Sequence, residues 1–354
     1  MDNNMPRYKV LYEAKQMKAI RFGLVIAFMS AMFNCVFQNF NVAATSLIEG
    51  DFATGLLAAY VMSVFTLGIC EFGGGIITFI YNLFRGIPLA EIRRTWSVNS
   101  GKTIMLSALC AGPVGTAASV MSIALIGSTY ANCIIGLAPV VTALLGKIIL
   151  KEKMNGRVWA GIVISVAGAI VATMGVPDNV TNLVLGVIIA AIAPVAFALE
   201  GIISTHGVDV TDPMVACPLF RMVMSGIFEV AIAIILCLIT GHIGWIGMLC
   251  GLITSTPMCM VWMLCTMIAM SIQYNMGYTS FNYCGAVKSE AILWTGAFWT
   301  IPVGFIMGGL GIIDYRVTGI GMLGAVLVVI GIMLVVAKPS ELFSLRDGEE
   351  QEAA

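Results

Sequence analysis

Four glutamates stand inside or at the margin of long apolar stretches: Glu71, Glu200, Glu229 and Glu290. An ionised side chain at the centre of a bilayer costs about 2.5–3.5 kcal/mol on insertion scales, so a carboxylate placed there calls for a partner, a proton or water. A carboxyl that alternates between its charged and neutral forms can load and release a proton, which is a coupling chemistry. The plainer role is a hydrogen bond to a neighbouring helix that only fixes packing. Glu71 shares a narrow arc with Thr78 and Asn82 at about 100 degrees per residue, and Glu229 has Ser225 one turn away. Glu200 has Ser204 one turn below it and Pro194 above, whereas Glu290 adjoins Lys288, with which a simple pair accounts for it.

A second group of polar residues falls on one helix face. Ser30, Asn34, Gln38, Asn41 and Thr45 lie within about 80 degrees of a helix circumference, and amides turned to lipid would go unpaired at several kcal/mol each. The stripe therefore faces other helices or a water-filled path, with Asn34, Gln38 and Asn41 as candidate cavity residues. Trp294, one turn beyond Glu290 on the same expected helix face, could supply an aromatic wall for an organic solute or anchor at an interface.

The elements that must position these residues are legible from hydropathy. Of 354 residues, 59% are hydrophobic and 10% charged, and the mean hydropathy is +0.98. A soluble domain carries roughly 25% charged residues. Ten stretches approach the roughly 20 apolar residues that a span needs: 21–44, 52–83, 102–124, 128–150, 157–175, 184–205, 217–240, 251–276, 284–308 and 317–337. The expectation is an all-α integral membrane protein of ten transmembrane helices. A short interfacial helix is expected between Arg85 and Lys102, and an acidic solvated tail after Lys338. Pro113, Pro194, Pro257 and Pro302 fall in or near spans, where a missing N–H lets a helix bend.

Basic residues fix the orientation, because Lys and Arg near span ends resist translocation. On the ten-span reading seventeen of them, Arg221 among them, lie on the side of both termini and only Arg316 lies on the other. Both termini are expected to be cytoplasmic in the inner or plasma membrane. The ten cysteines are scattered through apolar runs without a CxxC pair, and His206 and His242 have no ligand at zinc spacing, so neither a metal nor another cofactor is expected. A net charge of −1 without a basic patch speaks against nucleic acid as a partner.

An offset of 163 residues lays the second half of the chain on the first: Gly23 meets Gly186, Pro139 meets Pro302, Gly161 meets Gly324 and Gly168 meets Gly331. Five spans per half is an odd number, so the second copy enters the membrane from the opposite face. The expected division is an N-terminal segment 1–20, repeats at 21–175 and 184–337, and a tail 338–354.

The sequence here resembles the drug/metabolite transporter superfamily, in its ten-span EamA-type branch. The resemblance is carried by Pro139, by Glu152 in the turn LKEKMNGR, and by Gly161 and Gly168; the second copy departs from it, with Tyr315 at the position of Glu152. It implies a secondary transporter, an exporter or exchanger of small metabolites or drugs, working by alternating access around a polar cavity. Its partners would be the lipid bilayer, a small-molecule substrate, and protons or a counter-substrate, with a homodimer left open. No GxxxxGK[ST] loop, HExxH or GxSxG is present, so ATP-driven and enzymatic readings find no residues to carry them. The alternative is a non-transporting membrane component that keeps the fold.

Overall fold

The computed structural model describes residues 7–149, 156–175, 182–208, 216–284, 289 and 292–336. Among them every regular element is a helix. Eight are long and apolar enough to cross a membrane. Two further transits are made by shorter apolar helices, so the path accords with ten crossings. The chain is a multi-pass membrane protein.

The first transit is α1 (Arg7–Glu49), a continuous helix that begins well before the expected span. Arg, Lys, Glu, Gln, Met and Ala before Arg21 are good helix formers, and neither Gly nor Pro interrupts them. After α2 (Leu56–Phe84) the expected short helix is present as α3 (Leu89–Ser97), closed by an exposed Arg94–Glu91 pair at 2.6 Å. There the hydrogen bond from Arg94 holds the Glu91 carboxyl below its usual range.

The third transit is built in pieces, α4 (Asn99–Cys110), a π turn (Ala111–Thr116) and α5 (Ala117–Ile126). Pro113 explains the wide turn, since it lacks an N–H and its ring pushes away the carbonyl one turn back. Within the turn Thr116 donates its hydroxyl to the Ala111 carbonyl at 3.0 Å, and Tyr60 of α2 donates to the Pro113 carbonyl at 2.7 Å.

Gly127 turns the chain at φ 87 into the fourth transit, α6 (Ser128–Ile135) and α7 (Ala138–Ile149). It opens at Gly136–Leu137 because Pro139 cannot donate to the carbonyl four residues before it. Then follow α8 (Gly156–Met174), α9 (Leu183–Val208) and α10 (Ala216–Ile239).

Two expectations are corrected in the second half. The eighth span was expected over 251–276 with Pro257 inside it; instead a short apolar helix, α11 (Gly244–Ser255), precedes α12 (Pro257–Cys284), and Pro257 is the first residue of the crossing helix. Pro is preorganised for that position because its absent N–H has no intrahelical partner there anyway. Twelve residues rise about 18 Å, short of the roughly 30 Å core, so α11 does not cross. Pro257→Ala should accordingly change the melting stability of the purified protein by no more than about 0.5 kcal/mol.

The ninth transit is likewise not one helix. It turns at Trp294–Thr295 before α13 (Gly296–Gly309), and the expected face shared by Trp294 and Glu290 falls partly outside the described residues, with Glu290. This break adjoins the one in the fourth transit, since a Cβ on Gly136 would stand 3.6 Å from the Trp294 carbonyl oxygen. The last helix is α14 (Gly319–Val336). Thr318 caps it by accepting from the Gly321 N–H at 3.1 Å while donating to the Gly175 carbonyl at 2.7 Å.

The glycines of the sequence repeat fall where α8 and α14 cross. A Cβ on Gly161 would lie 2.7 Å from the Gly331 carbonyl, and one on Gly168 would lie 2.6 Å from the Val328 nitrogen and 3.0 Å from the Gly324 carbonyl. The pairs are Gly161 with Gly331 and Gly168 with Gly324, and the 163-residue offset maps each pair onto the other. Such exchange is the signature of a twofold relation with antiparallel strands of chain, and small residues let the two backbones touch. The crossing of α2 with α10 is also antiparallel and glycine-lined, with Gly68 against Val230, Gly226 against Phe72 and Gly75 against Val223.

Candidate functional site

Arg221 is the hub of the interior, and sequence reasoning misplaced it. It counted among the cytoplasmic basic residues, yet it lies in the second turn of α10 at 1% exposure. It therefore carries no weight in the charge asymmetry of the loops. Its Nη1 donates to Glu71 Oε1 at 2.7 Å, its Nε to Glu200 Oε1 at 3.2 Å, and its Nη2 to Thr116 Oγ1 at 3.4 Å. The guanidinium carbon stands 4.3 Å from the centroid of the Tyr274 ring. One cation thus ties α2, α9, α10, α12 and the π turn together. The signal that could have placed it was its position inside the expected span 217–240: Arg221 follows Cys217, Pro218, Leu219 and Phe220 and precedes an apolar run reaching Ile239.

The structure therefore brings Glu71 and Glu200 to one cation and leaves Glu229 apart from it. Glu229 is fully buried and neither of its oxygens accepts a hydrogen bond among the described residues. Thr78, expected beside Glu71, bonds instead to Ser271 at 2.9 Å and accepts from Asn275 at 2.9 Å, both on α12. Glu290 and Glu152 lie outside the described residues, as does the acidic tail.

The polar stripe of α1 faces other helices. Ser30 donates to the Gln273 carbonyl at 2.8 Å, Gln38 accepts from Asn132 at 3.0 Å, and Asn41 approaches the Cys70 sulfur at 4.0 Å. Asn34 lies against Gly296, whose missing Cβ would stand 3.9 Å from its amide nitrogen. The stripe joins helices, and the open space begins one step round the helix, at Asn39. Trp294 packs its ring on Phe197 at 5.5 Å between centroids.

That space is a cavity of about 680 Å³ on the face where α1 ends and α14 begins. Asn39 and Ser46 line it from α1, and Tyr130, Asp314, Tyr315 and Arg316 close its sides. Tyr130 is fixed at both ends: its ring fills the space beside Gly321, and its oxygen accepts the Thr318 N–H at 3.0 Å. Tyr315 packs on Gly304, and its hydroxyl bonds Thr129 at 2.7 Å. Burial pushes the Tyr315 phenol up to about 12, against the opposing pull of the Thr129 bond, so the ring offers a neutral hydroxyl at any physiological pH. Tyr315→Phe should cost about 0.5–1.5 kcal/mol in thermal stability, the net value of that one bond. A smaller pocket of about 230 Å³, lined by Tyr81, Arg85 and Asn275 among others, opens toward the other face and shares no lining residue with the first.

A helical membrane bundle with glycine-lined antiparallel crossings and a polar cavity can be set beside known proteins. Residues 17–174 match the model of the EamA-like transporter family, a branch of the drug/metabolite transporter superfamily. The match covers less than half of the chain and is a likeness of this segment to that family. The EamA-like segment spans α1 to α8, the whole first half of the bundle, and the family is one of transporters and not of enzymes. A solved structure described only as "Crystal structure of protein" shares the fold, with a TM-score of 0.53 at 13% identity over 88% of this chain and 94% of its own. At that identity the likeness is one of fold alone. No curated protein sequence matches the chain significantly.

Proposed function

We propose that the protein is a secondary active transporter, an exporter or exchanger of small organic solutes, rather than an enzyme. In this reading the units 21–175 and 184–337 rock against each other, with both termini in the cytoplasm and the bundle in the plasma or inner membrane. The observation that carries the reading is a polar cavity of about 680 Å³ between the first half of the chain and the segment Gly311–Arg316 of the second, in a bundle whose α8–α14 glycine crossing follows a twofold. Two halves so related can open a site between them to one face and then to the other. That volume lies within the ~300–1,000 Å³ usual for small-molecule sites. Amide, hydroxyl and aromatic groups line it, with Asp314 and Arg316 near its mouth, and these suit a polar or zwitterionic solute with a flat apolar part.

The energy is sufficient, since one proton moving through ~100 mV contributes about 2.3 kcal/mol, roughly a fifty-fold gradient. The test is uptake of a labelled metabolite mixture into vesicles holding the purified protein under an imposed pH gradient. At least one solute should accumulate unchanged and saturably above empty vesicles. A chemically altered solute would mean an enzyme, and no movement of any solute would sink the transport reading.

A further inference from the structure

Glu229 occupies the middle of α10, where α2 and the π turn both press on it. A Cβ on Gly68 would stand 2.9 Å from the Glu229 Cβ, and one on Gly112 would stand 3.1 Å from its Oε1. The carboxyl thus lies in a slot that two glycines keep open, at 0% exposure. Among the described residues the donors beside it are engaged elsewhere. Ser225, one turn away, donates to the Ala108 carbonyl at 3.4 Å, and Tyr60 donates to the Pro113 carbonyl at 2.7 Å. Arg221, the cation of this interior, is held by Glu71 and Glu200.

The groups facing this slot are few. From α2 come Glu71, Cys70 and Tyr60, each close enough to interact electrostatically with Glu229. On α12, Tyr274 and Tyr278 face Arg221, and Cys110 of α4 faces Glu200. Gly112 and Thr116 of the π turn carry no charge, and α11 brings no charged side chain. Arg221 with Glu71 and Glu200 already sums to one negative charge. A second anion beside it, desolvated and without a donor, would cost several kcal/mol, whereas a neutral acid costs far less.

We propose that Glu229 is a proton-binding site, loaded in the state described here and emptied when α2 and α10 part to admit water. On loading, a hydronium ion gives its proton to a carboxylate oxygen and leaves as water, and the neutral acid closes into the slot. On unloading, the O–H bond breaks, the electron pair stays on the carboxylate, and water on the other face takes the proton. The proton's use as a driving ion rests on the transport reading, but its binding can be measured without any solute.

The experiment is an infrared difference spectrum between acid and alkaline pH of the full-length protein in lipid vesicles, recorded in light and heavy water. Wild type should give a carboxylic-acid carbonyl band that shifts on deuteration and vanishes on the alkaline side. Glu229→Gln should lose this band entirely while Glu71→Gln keeps it. Because Glu229→Gln could fail to fold, Glu229→Asp serves as the second variant, and it should keep the band at a shifted frequency. No titrating band in wild type, its survival in Glu229→Gln, an unshifted band in Glu229→Asp, or its loss in Glu71→Gln would overturn the assignment. A protein that passes this test yet moves no solute would sink the transport reading and leave the proton site standing.

Discussion

Arg221→Met should cost about 3–5 kcal/mol of stability, the penalty for removing one partner from a buried ion pair. The reason is what remains behind. Glu71 is fully buried and Glu200 largely so, and each accepts from the same guanidinium. Met fills much of the volume of the arginine stem but supplies neither the charge nor the donors, so two carboxylates lose their cation at once. The thermal midpoint of the detergent-purified protein, followed by its loss from the monodisperse peak, reads the effect. Combining Arg221→Met with Glu71→Gln should recover part of the loss, because the second change removes an orphaned charge. A double-mutant cycle without coupling between the two positions would show that the pair contributes nothing.

Gly168→Leu and Gly324→Leu should each weaken the protein by about 1–3 kcal/mol or more, as overpacking does. The first new atom of either side chain meets backbone: the Val328 nitrogen at 2.6 Å for Gly168, and the Ala172 nitrogen at 2.4 Å for Gly324. Backbone cannot turn aside as a side chain can, so α8 and α14 must separate. Gly156→Ala and Gly319→Ala, which meet nothing within 4 Å, should change stability by less than about 0.5 kcal/mol. Equal losses at the two positions would reflect their shared contact, since Gly168 and Gly324 face each other across the same half of the crossing. A loss at only one would mean that the two sides of the crossing bear load differently.

Much of the architecture was legible before any coordinates, because apolar length and the placement of Gly and Pro are direct consequences of lipid as a solvent. Gly161, Gly168, Gly324 and Gly331 could be paired by counting alone, and all four lie at one crossing. What counting could not reach was where helices stop inside an apolar run. Trp294–Thr295 carries no Gly or Pro, and α11 is as hydrophobic as a span while being too short to make one. Hydropathy is blind to both, since a turn buried among neighbouring helices keeps the same composition as the helix around it.

The site was legible in part for a related reason. Carboxylates in apolar runs announce themselves by composition, so Glu71, Glu200 and Glu229 could be selected, but which of them has a partner depends on the third dimension. Arg221 counts with the cytoplasmic basic residues in the sequence because the expected span 217–240 begins only four residues before it. The stripe on α1 was real, yet a polar face can bond to a neighbour as well as to a cavity, and Asn39 lay one step outside it.

Tyr130 ends with its hydroxyl at the first turn of α14 and its ring beside Gly321, while the same ring borders the open space. One rigid aromatic plate thus bridges the cavity and the crossing of α8 with α14. Its packing leaves no slack, so a guest that tilts the plate must also displace Gly321 and the Thr318 cap. The latch that ties α14 to the end of α8 is therefore within a guest's reach.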